Sequence, residues 1–261
     1  MEKLKVVFRN FYGITILLFF FFSCTENNTD GEKTKPEEQE KTVVSDTVQN
    51  PIETIPQATN TTLINDLVDI QEINSDILVE LKYATSDNFM GIKLYSRTTK
   101  AYLQKDVALR LSAAQKMLDS LKPGYRLLVY DALRPVSVQR KMWNALDSIP
   151  VEERGKFVSN PNNRSLHNMG AAVDLTVVNE RGIPLDMGAG YDDIRKIAYP
   201  SLESQFLDSG ELKPEHIRNR KLLRTVMEAQ QFRQLQTEWW HFNACSRPEA
   251  LKKYKVLLEE F

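Results

Sequence analysis

Two clusters of side chains in this 261-residue chain have the types and spacing to do chemistry together. The first is Ser165-Leu166-His167-Asn168-Met169-Gly170-Ala171-Ala172-Val173-Asp174, an imidazole followed seven residues later by a carboxylate. The second is Glu238-Trp239-Trp240-His241, an imidazole with a carboxylate three residues before it. His167, Asp174 and His241 make a three-ligand set for a divalent metal ion and leave one position for water. An open position separates catalytic zinc sites from structural ones, which close all four. Glu238 is then free to accept a proton from that water. The combination reads as a zinc hydrolase.

Each signal alone has a plainer meaning. A single histidine is ordinarily a hydrogen-bonded structural residue, but the chain has three in all, and two of them sit in these clusters. The third, His216 of Pro214-Glu215-His216, has no carboxylate company of that kind and reads as a surface residue. Cys245 is either a soft ligand in place of Asp174 or a small buried side chain. Arg134, in Tyr130-Asp131-Ala132-Leu133-Arg134-Pro135, reads equally as an ion-pair partner or as a fixed cation aimed at a developing oxyanion.

The elements that must position these groups follow from periodicity. Residues 172–178 read as a strand with Ala172, Asp174 and Thr176 on one face and Val173, Leu175 and Val177 on the other, the apolar set facing the core. An aspartate in such a strand requires a compensating metal or arginine. Gly170 and Ala172 are expected to keep the approach to the site narrow and free of side chains. In a regular strand Glu238 and His241 would face opposite sides, so the backbone bulges between them or Glu238 precedes the strand; on a helix they would share a face, and the intervening Trp239-Trp240 favour the extended reading. Further strands are expected over 77–83 and 125–131. An amphipathic helix over 103–121 ends at Pro123-Gly124. Ser137 is expected to cap a helix to about residue 146, and a helix to run from Pro214 to about residue 230. A turn at 179–182 leads into a short strand at 183–185, and a last strand starts within 238–242. Without regular βαβ alternation, this is an α+β fold: a single domain with a mainly antiparallel sheet flanked by helices.

The N-terminus has a different texture. Lys3, Lys5 and Arg9 precede an apolar run over 11–22, and Ser23-Cys24 follow. A basic stretch, a short apolar stretch and a small residue at the cut describe an export signal over 1–24. Its ending resembles the lipobox of bacterial lipoproteins, with Cys24 as the lipidated residue, although Phe21-Phe22 stand where Leu and a small residue are usual. Residues 25–62 are polar and lack aromatics, which marks them as a disordered tether. The folded domain is expected over 63–261. The expected location is the bacterial cell envelope, facing the periplasm, with the membrane engaged through Cys24. A net charge of -1 and a pI near 6.4 give no electrostatic case for a nucleic-acid partner. No obligate protein partner is evident, and two cysteines do not make a disulfide framework.

Taken together the motifs resemble the D-alanyl-D-alanine dipeptidases within the wider family of zinc D,D-peptidases. The resemblance rests on Lys82-Tyr83-Ala84-Thr85-Ser86-Asp87-Asn88-Phe89, on Asp131 to Pro135, and on Ser165-x-His167-x-x-Gly170-x-Ala172-x-Asp174-Leu175-Thr176. It also rests on Met187-Gly188 with Tyr191-Asp192, and on Glu238-Trp239-Trp240-His241. It implies one Zn2+ per chain on His167, Asp174 and His241, Glu238 as catalytic base, and Arg134 stabilising the transition state. It further implies that Ser165, Tyr83 and Asp192 hold a small dipeptide, in a pocket closed at both ends. Leu133 stands where an aromatic is common, and Asn168-Met169 replace a more polar pair at the rim. The alternatives are a peptidoglycan D,D- or L,D-carboxypeptidase or endopeptidase of the same zinc family and, in another class, a tethered cell-wall-binding module.

Overall fold

In chain order the elements are β1 (Leu67–Asp69), α1 (Ile70–Ile73), β2 (Leu78–Val79), β3 (Tyr102–Gln104), α2 (Lys105–Leu121), β4 (Arg126–Asp131), α3 (Val136–Ala145), β5 (Ala172–Val178), α4 (Glu203–Asp208), α5 (Pro214–Glu228), β6 (Arg233–Gln234), β7 (His241–Asn243) and α6 (Arg247–Lys253). The computed structural model describes residues 65–261. The expectations for 1–24, for Cys24 and for 25–62 lie outside the described residues. No helix among the described residues is long and apolar enough to cross a membrane.

Five strands form one sheet in the order β2-β4-β5-β7-β6, and β1 pairs with β3 in a separate two-stranded sheet. Only the β2–β4 pairing is parallel; the other ladders are antiparallel, as expected of the α+β class. All seven residues of β5 are buried, because it lies mid-sheet with both faces covered. Helix α2 packs against α5 and β4 through one apolar stripe. Val107, Leu111 and Leu118 in that stripe are fully buried. At roughly 1.5–3 kcal/mol for each large aliphatic side chain buried, this stripe fixes the helix whatever its exposed face carries.

Several expected boundaries shift for identifiable reasons. Only Leu78 and Val79 of the 77–83 stretch pair as strand, and Lys82–Ala84 coil into a 3-10 turn. Helix α2 begins at Lys105 because Tyr102–Gln104 are taken by pairing with β1. Residues 183–185 form no strand; Pro184, which has no N–H to give, makes a single bridge to Val178. Ser137 does not cap α3. The helix starts two residues earlier, with Pro135 in the cap position, and its first N–H groups are satisfied from far away in sequence. Val136 N–H donates to Leu257 O at 3.0 Å and Ser137 N–H to Leu258 O at 2.9 Å, so the C-terminal segment does the capping. Glu260 pins that segment, its carboxylate accepting from the backbone N–H groups of Ser96, Arg97 and Thr98. Burial pushes this carboxyl up, but the donors outweigh it and hold it at about 2.

Two expectations about individual residues are overturned. His216 is buried rather than on the surface. Its Nδ1 accepts from Lys213 N–H at 3.1 Å, so Nε2 carries the proton and faces Asp186 Oδ2 at 3.2 Å. The ring also closes over Gly188, at φ +74°, where an added Cβ would lie only 2.4 Å from His216 Nδ1. Gly170 does not border the approach to the site. At φ +63° it ends the His167 turn and packs on Leu67 and Gln104, where a Cβ would come within 2.8 Å of Leu67 Cδ2.

Candidate metal centre

Three neighbouring strands bring the carboxylates and one imidazole level with each other. Asp174 on β5 is directly opposite Asp131 on β4 and directly opposite His241 on β7. Residues directly opposite in an antiparallel ladder project on the same face. The Asp131 register depends on an irregularity in β4: Val129 faces Leu175, and the next pairing skips to Asp131 facing Asp174. Without that extra residue Tyr130 would stand opposite Asp174, so the bulge aims Asp131 into the site.

His167 arrives from a 3-10 turn, Leu166–Met169, pinned to the segment between β4 and α3. Arg134 N–H donates to His167 O at 3.0 Å, and His167 Nδ1 lies 2.6 Å from Ala132 O. Glu238 sits in the short connection between β6 and β7, just before the strand that carries His241, which is one of the arrangements their spacing allowed. That connection is clamped by Leu235 N–H donating to His241 O and by Gln234 Nε2 donating to Trp239 O. Both tryptophans of the motif are buried, Trp239 donating through Nε1 to Ala189 O at 3.1 Å.

One oxygen or nitrogen from each of His167, Asp174 and His241 lies within 4.8 Å of the others. His241 Nδ1 is 2.9 Å from Asp174 Oδ1, and His167 Nε2 is 3.1 Å from His241 Nδ1 and 3.4 Å from Asp174 Oδ1. The outer partners decide the tautomers. Ala132 O can only accept, so His167 Nδ1 holds the proton and Nε2 is a bare lone pair. Asn243 Oδ1, 3.0 Å from His241 Nε2, fixes the second ring so that Nδ1 is bare. With both rings neutral, two imidazole lone pairs and a carboxylate therefore point at one place, which a proton on His241 Nδ1 or a metal ion can occupy. A divalent cation satisfies that set, and the residues fit one.

Comparison with known proteins agrees. The family described as D-ala-D-ala dipeptidase, Peptidase_M15, matches residues 64–257. The chain belongs to this family. It is 33% identical over 196 residues to a D-alanyl-D-alanine dipeptidase of Escherichia coli (strain K12), covering 75% of this chain and 91% of that protein. It is 28% identical over 176 residues to one from Synechocystis sp. (strain ATCC 27184 / PCC 6803 / Kazusa), covering 57% and 71% respectively. It is 29% identical over 211 residues to one from Streptomyces coelicolor (strain ATCC BAA-471 / A3(2) / M145), covering 71% and 95%. The family read from the motifs is the family found, and it is one of metallopeptidases.

Within this metallopeptidase fold the remaining expected residues line one cleft. Tyr83, Arg134, Ser165, His167, Asp174, Asp192, Glu238 and His241 all border a hollow of about 240 Å³. The hollow is not closed at both ends. Beyond Asp192 and Glu238 it adjoins a second, of about 390 Å³, which shares seven lining residues with it, those two among them, and is further bordered by Phe89, Ile194 and Tyr199. Asn168 and Met169, expected at the rim, are wholly buried beneath it. Cys245 is half-buried and is not one of the three converging donors.

Arg134 is an ion-pair partner whose free end faces the cleft. Its Nε donates to Asp131 Oδ2 at 2.8 Å, while the far end of the fork, 3.6 Å from Asp174 Oδ2, borders the cleft. Desolvation opposes its charge, but Asp131 and then Tyr83 and Asp174 outweigh that, so the guanidinium is held charged. Asp192, in the left-handed region at φ +59°, accepts from Tyr83 Oη at 3.0 Å on both oxygens. Burial first, and the Asp174 charge second, push its carboxyl well above the usual range. Burial likewise raises Glu238, helped by Asp174 and opposed by His241. Its side chain keeps 36% exposure, so water screens that shift.

Three supporting residues were not singled out from sequence for roles of their own. Asp131, with 0% exposure, receives Tyr95 Oη at 2.6 Å and Arg134 on its other oxygen. Its signal was available, since a carboxylate at the end of an apolar strand needs a partner just as Asp174 does. Asn243 is two residues beyond His241 and so on the same strand face, a second readable sign. Tyr191, which donates to Asp174 Oδ2 at 3.2 Å, comes from a loop with no periodicity to betray it.

Metal removal makes a pH-dependent prediction. Burial lowers His241, but Asp174 more than offsets it and raises the imidazole from 6.5 to about 9 in the metal-free site. Asp174 is correspondingly held below the carboxylate range: burial raises it, and the two histidines overcome that. A raised folded-state pKa gives stability that is complete below pH 6.5 and is lost as pH climbs through about 9. Chelated protein should therefore show a Tm that falls between those pH values, whereas metal-loaded protein should not, because the ion replaces the proton. Thermal melts of both forms across pH 6–9.5 check this; parallel pH profiles would refute it.

Proposed function

We propose that this protein hydrolyses the D-Ala-D-Ala dipeptide to two molecules of D-alanine, with one Zn2+ held by His167, Asp174 and His241. The observation that carries the reading is the convergence of those three donors beside a carboxylate, Glu238, and a fixed guanidinium, Arg134, in one cleft. The named activity of the relatives supports the substrate. Nitrogen and carboxylate ligands suit zinc. When bound, such an ion supplies Lewis acidity to a water and to a carbonyl oxygen.

The chain's own residues do the rest. Glu238 takes the proton of the attacking water onto its carboxylate, and its raised pKa makes it the stronger base once ionised. Arg134, immobilised by Asp131, faces the oxygen that takes up negative charge. Glu238 then returns the proton to the leaving nitrogen. Asp192, steadied by Tyr83, receives the free ammonium of the dipeptide; the incoming positive charge brings its raised carboxyl back down, so binding and ionisation support each other. Ser165 borders the same cleft and completes the hold on the substrate.

One observation favours a second reading. The hollow beyond Asp192 and Glu238 gives a longer peptide somewhere to go, as a D,D- or L,D-carboxypeptidase or endopeptidase would need. The test is hydrolysis by the zinc-loaded full-length chain of D-Ala-D-Ala, L-Ala-L-Ala and a muropeptide ending in D-Ala-D-Ala. Alanine released from the free D,D-dipeptide alone is the expected result. Cleavage of the muropeptide alone would move the assignment to wall trimming, and zinc binding with no hydrolysis would leave a tethered binding module.

Export to the bacterial envelope, with lipidation at Cys24 and a tether over 25–62, belongs to the same proposal and rests on the basic-apolar-Ser-Cys pattern at the N-terminus. Cells fed a labelled fatty acid should label the protein, and Cys24→Ala should abolish it. Label persisting in Cys24→Ala would overturn the assignment.

A further inference from the structure

Behind the cleft wall lies a buried amide pair that no step above uses. Gln139 on α3 and Asn168 in the His167 turn both have 0% exposure. Gln139 Nε2 donates to Ser159 O at 2.6 Å, which forces its Oε1 to the opposite side. Asn168 Oδ1 accepts from Ser165 N–H at 2.8 Å, so its Nδ2 turns inward, to Arg134 O at 2.7 Å and Gln139 Oε1 at 2.9 Å. Backbone groups at either end thus fix both amides in one orientation.

The consequence falls on Ser165. Its Oγ lies 2.9 Å from Gln139 Oε1, and an amide oxygen facing a hydroxyl can only accept. The single hydroxyl proton of Ser165 is therefore committed to Gln139, and what Ser165 can offer the cleft is a lone pair. A lone pair repels a carboxylate or carbonyl oxygen and matches an N–H. A dipeptide has two such donors, its terminal ammonium and the N–H of the scissile bond, and Asp192 is placed to take the ammonium.

We propose that Gln139 is a positioning residue that fixes Ser165 as a hydrogen-bond acceptor for the scissile N–H, and so for the amine that leaves. This rests on the dipeptidase reading. The bond strengthens as the nitrogen gains its proton from Glu238, because a hydrogen bond to a charged donor is stronger than one to a neutral amide. It also makes the site selective for a substrate whose scissile nitrogen carries hydrogen.

The test compares D-Ala-D-Ala with D-alanyl-N-methyl-D-alanine, which lacks that hydrogen, in the zinc-loaded full-length chain. The preference is the ratio of kcat/KM values or, where the methylated peptide is not turned over, the ratio of its inhibition constant to the dipeptide's KM. Ser165→Ala should reduce the wild-type preference about tenfold. Gln139→Leu should reduce it at least about threefold, because the freed hydroxyl can still accept but is no longer aimed. In the Gln139→Leu background, Ser165→Ala should add less than it does alone. Zinc content and Tm are recorded for each variant, since a merely structural loss slows both substrates alike and leaves the ratio intact. An unchanged ratio in either single variant, with dipeptide turnover in the wild type, overturns this proposal alone. No dipeptide turnover by the wild type overturns the dipeptidase reading as well.

Discussion

Glu238→Gln should lower kcat for dipeptide hydrolysis by at least about two orders of magnitude, the usual scale of general acid–base catalysis, while the protein keeps its metal. The geometry leaves no substitute. Asp174 is committed to His241, Tyr191 and Arg134, and burial holds the Asp192 carboxyl above its usual range. Metal retention follows because the converging donors are His167, Asp174 and His241, with Glu238 no closer than 3.9 Å to His241 Nδ1. Stability should be unchanged or slightly raised. Folding lifts the Glu238 pKa, so its charge at neutral pH opposes the folded state, and the amide removes that charge. Turnover, zinc content and Tm measured together decide it. Near-normal kcat would sink the base assignment, and loss of zinc would make Glu238 a ligand instead.

Arg134→Ala should fail in two ways at once, and that separates it from Glu238→Gln. Removing a fixed donor aimed at a developing oxyanion costs about 10²–10³ in kcat. Removing one partner of a buried ion pair also destabilises by roughly 3–5 kcal/mol. Asp131, with 0% exposure, would be left with Tyr95 Oη as its nearest remaining donor. Arg134→Lys should recover part of the stability and little of the rate, since one ammonium cannot bond Asp131 and border the cleft together. Denaturant midpoints and kcat for both variants test this. A stability loss with unchanged kcat would reduce Arg134 to an ion-pair partner, and a rate loss with unchanged stability would remove that structural role.

These two variants also mark how far residue type alone reaches. From the sequence Arg134 had two equal readings, because one guanidinium serves an ion pair and an oxyanion with the same chemistry. The structure gives its Nε to Asp131 and turns the other end to the cleft. A near-neighbour pattern such as Glu238 and His241 carried more, because strand geometry restricted the backbone between them to a few shapes. The hairpin connection ahead of β7 is one of those shapes.

The sequence by itself determined the donor chemistry, the β5 strand and its α+β surroundings, and the family, because these depend on residue type and on local period. The strand over Ala172–Val178 was legible because its β-branched residues favour a pleated surface and its polar and apolar residues alternate with period two. What only the tertiary structure decided are the relations between distant segments. The cap of α3 comes from Leu257 and Leu258, which no local rule could find behind Ser137. The burial of His216 depends on a loop, Asp186 to Gly188, that closes around it. The bulge in β4 that sets Asp131 opposite Asp174 is a matter of pairing register, and register is fixed by the partner strand rather than by the strand itself. Most of all, the hydrogen-bond sense of Ser165 is settled two hydrogen bonds away, by Ser159 acting through Gln139 and by the Ser165 backbone acting through Asn168. Local sequence sets which groups can donate and accept; the fold decides which of them still have something left to offer a substrate.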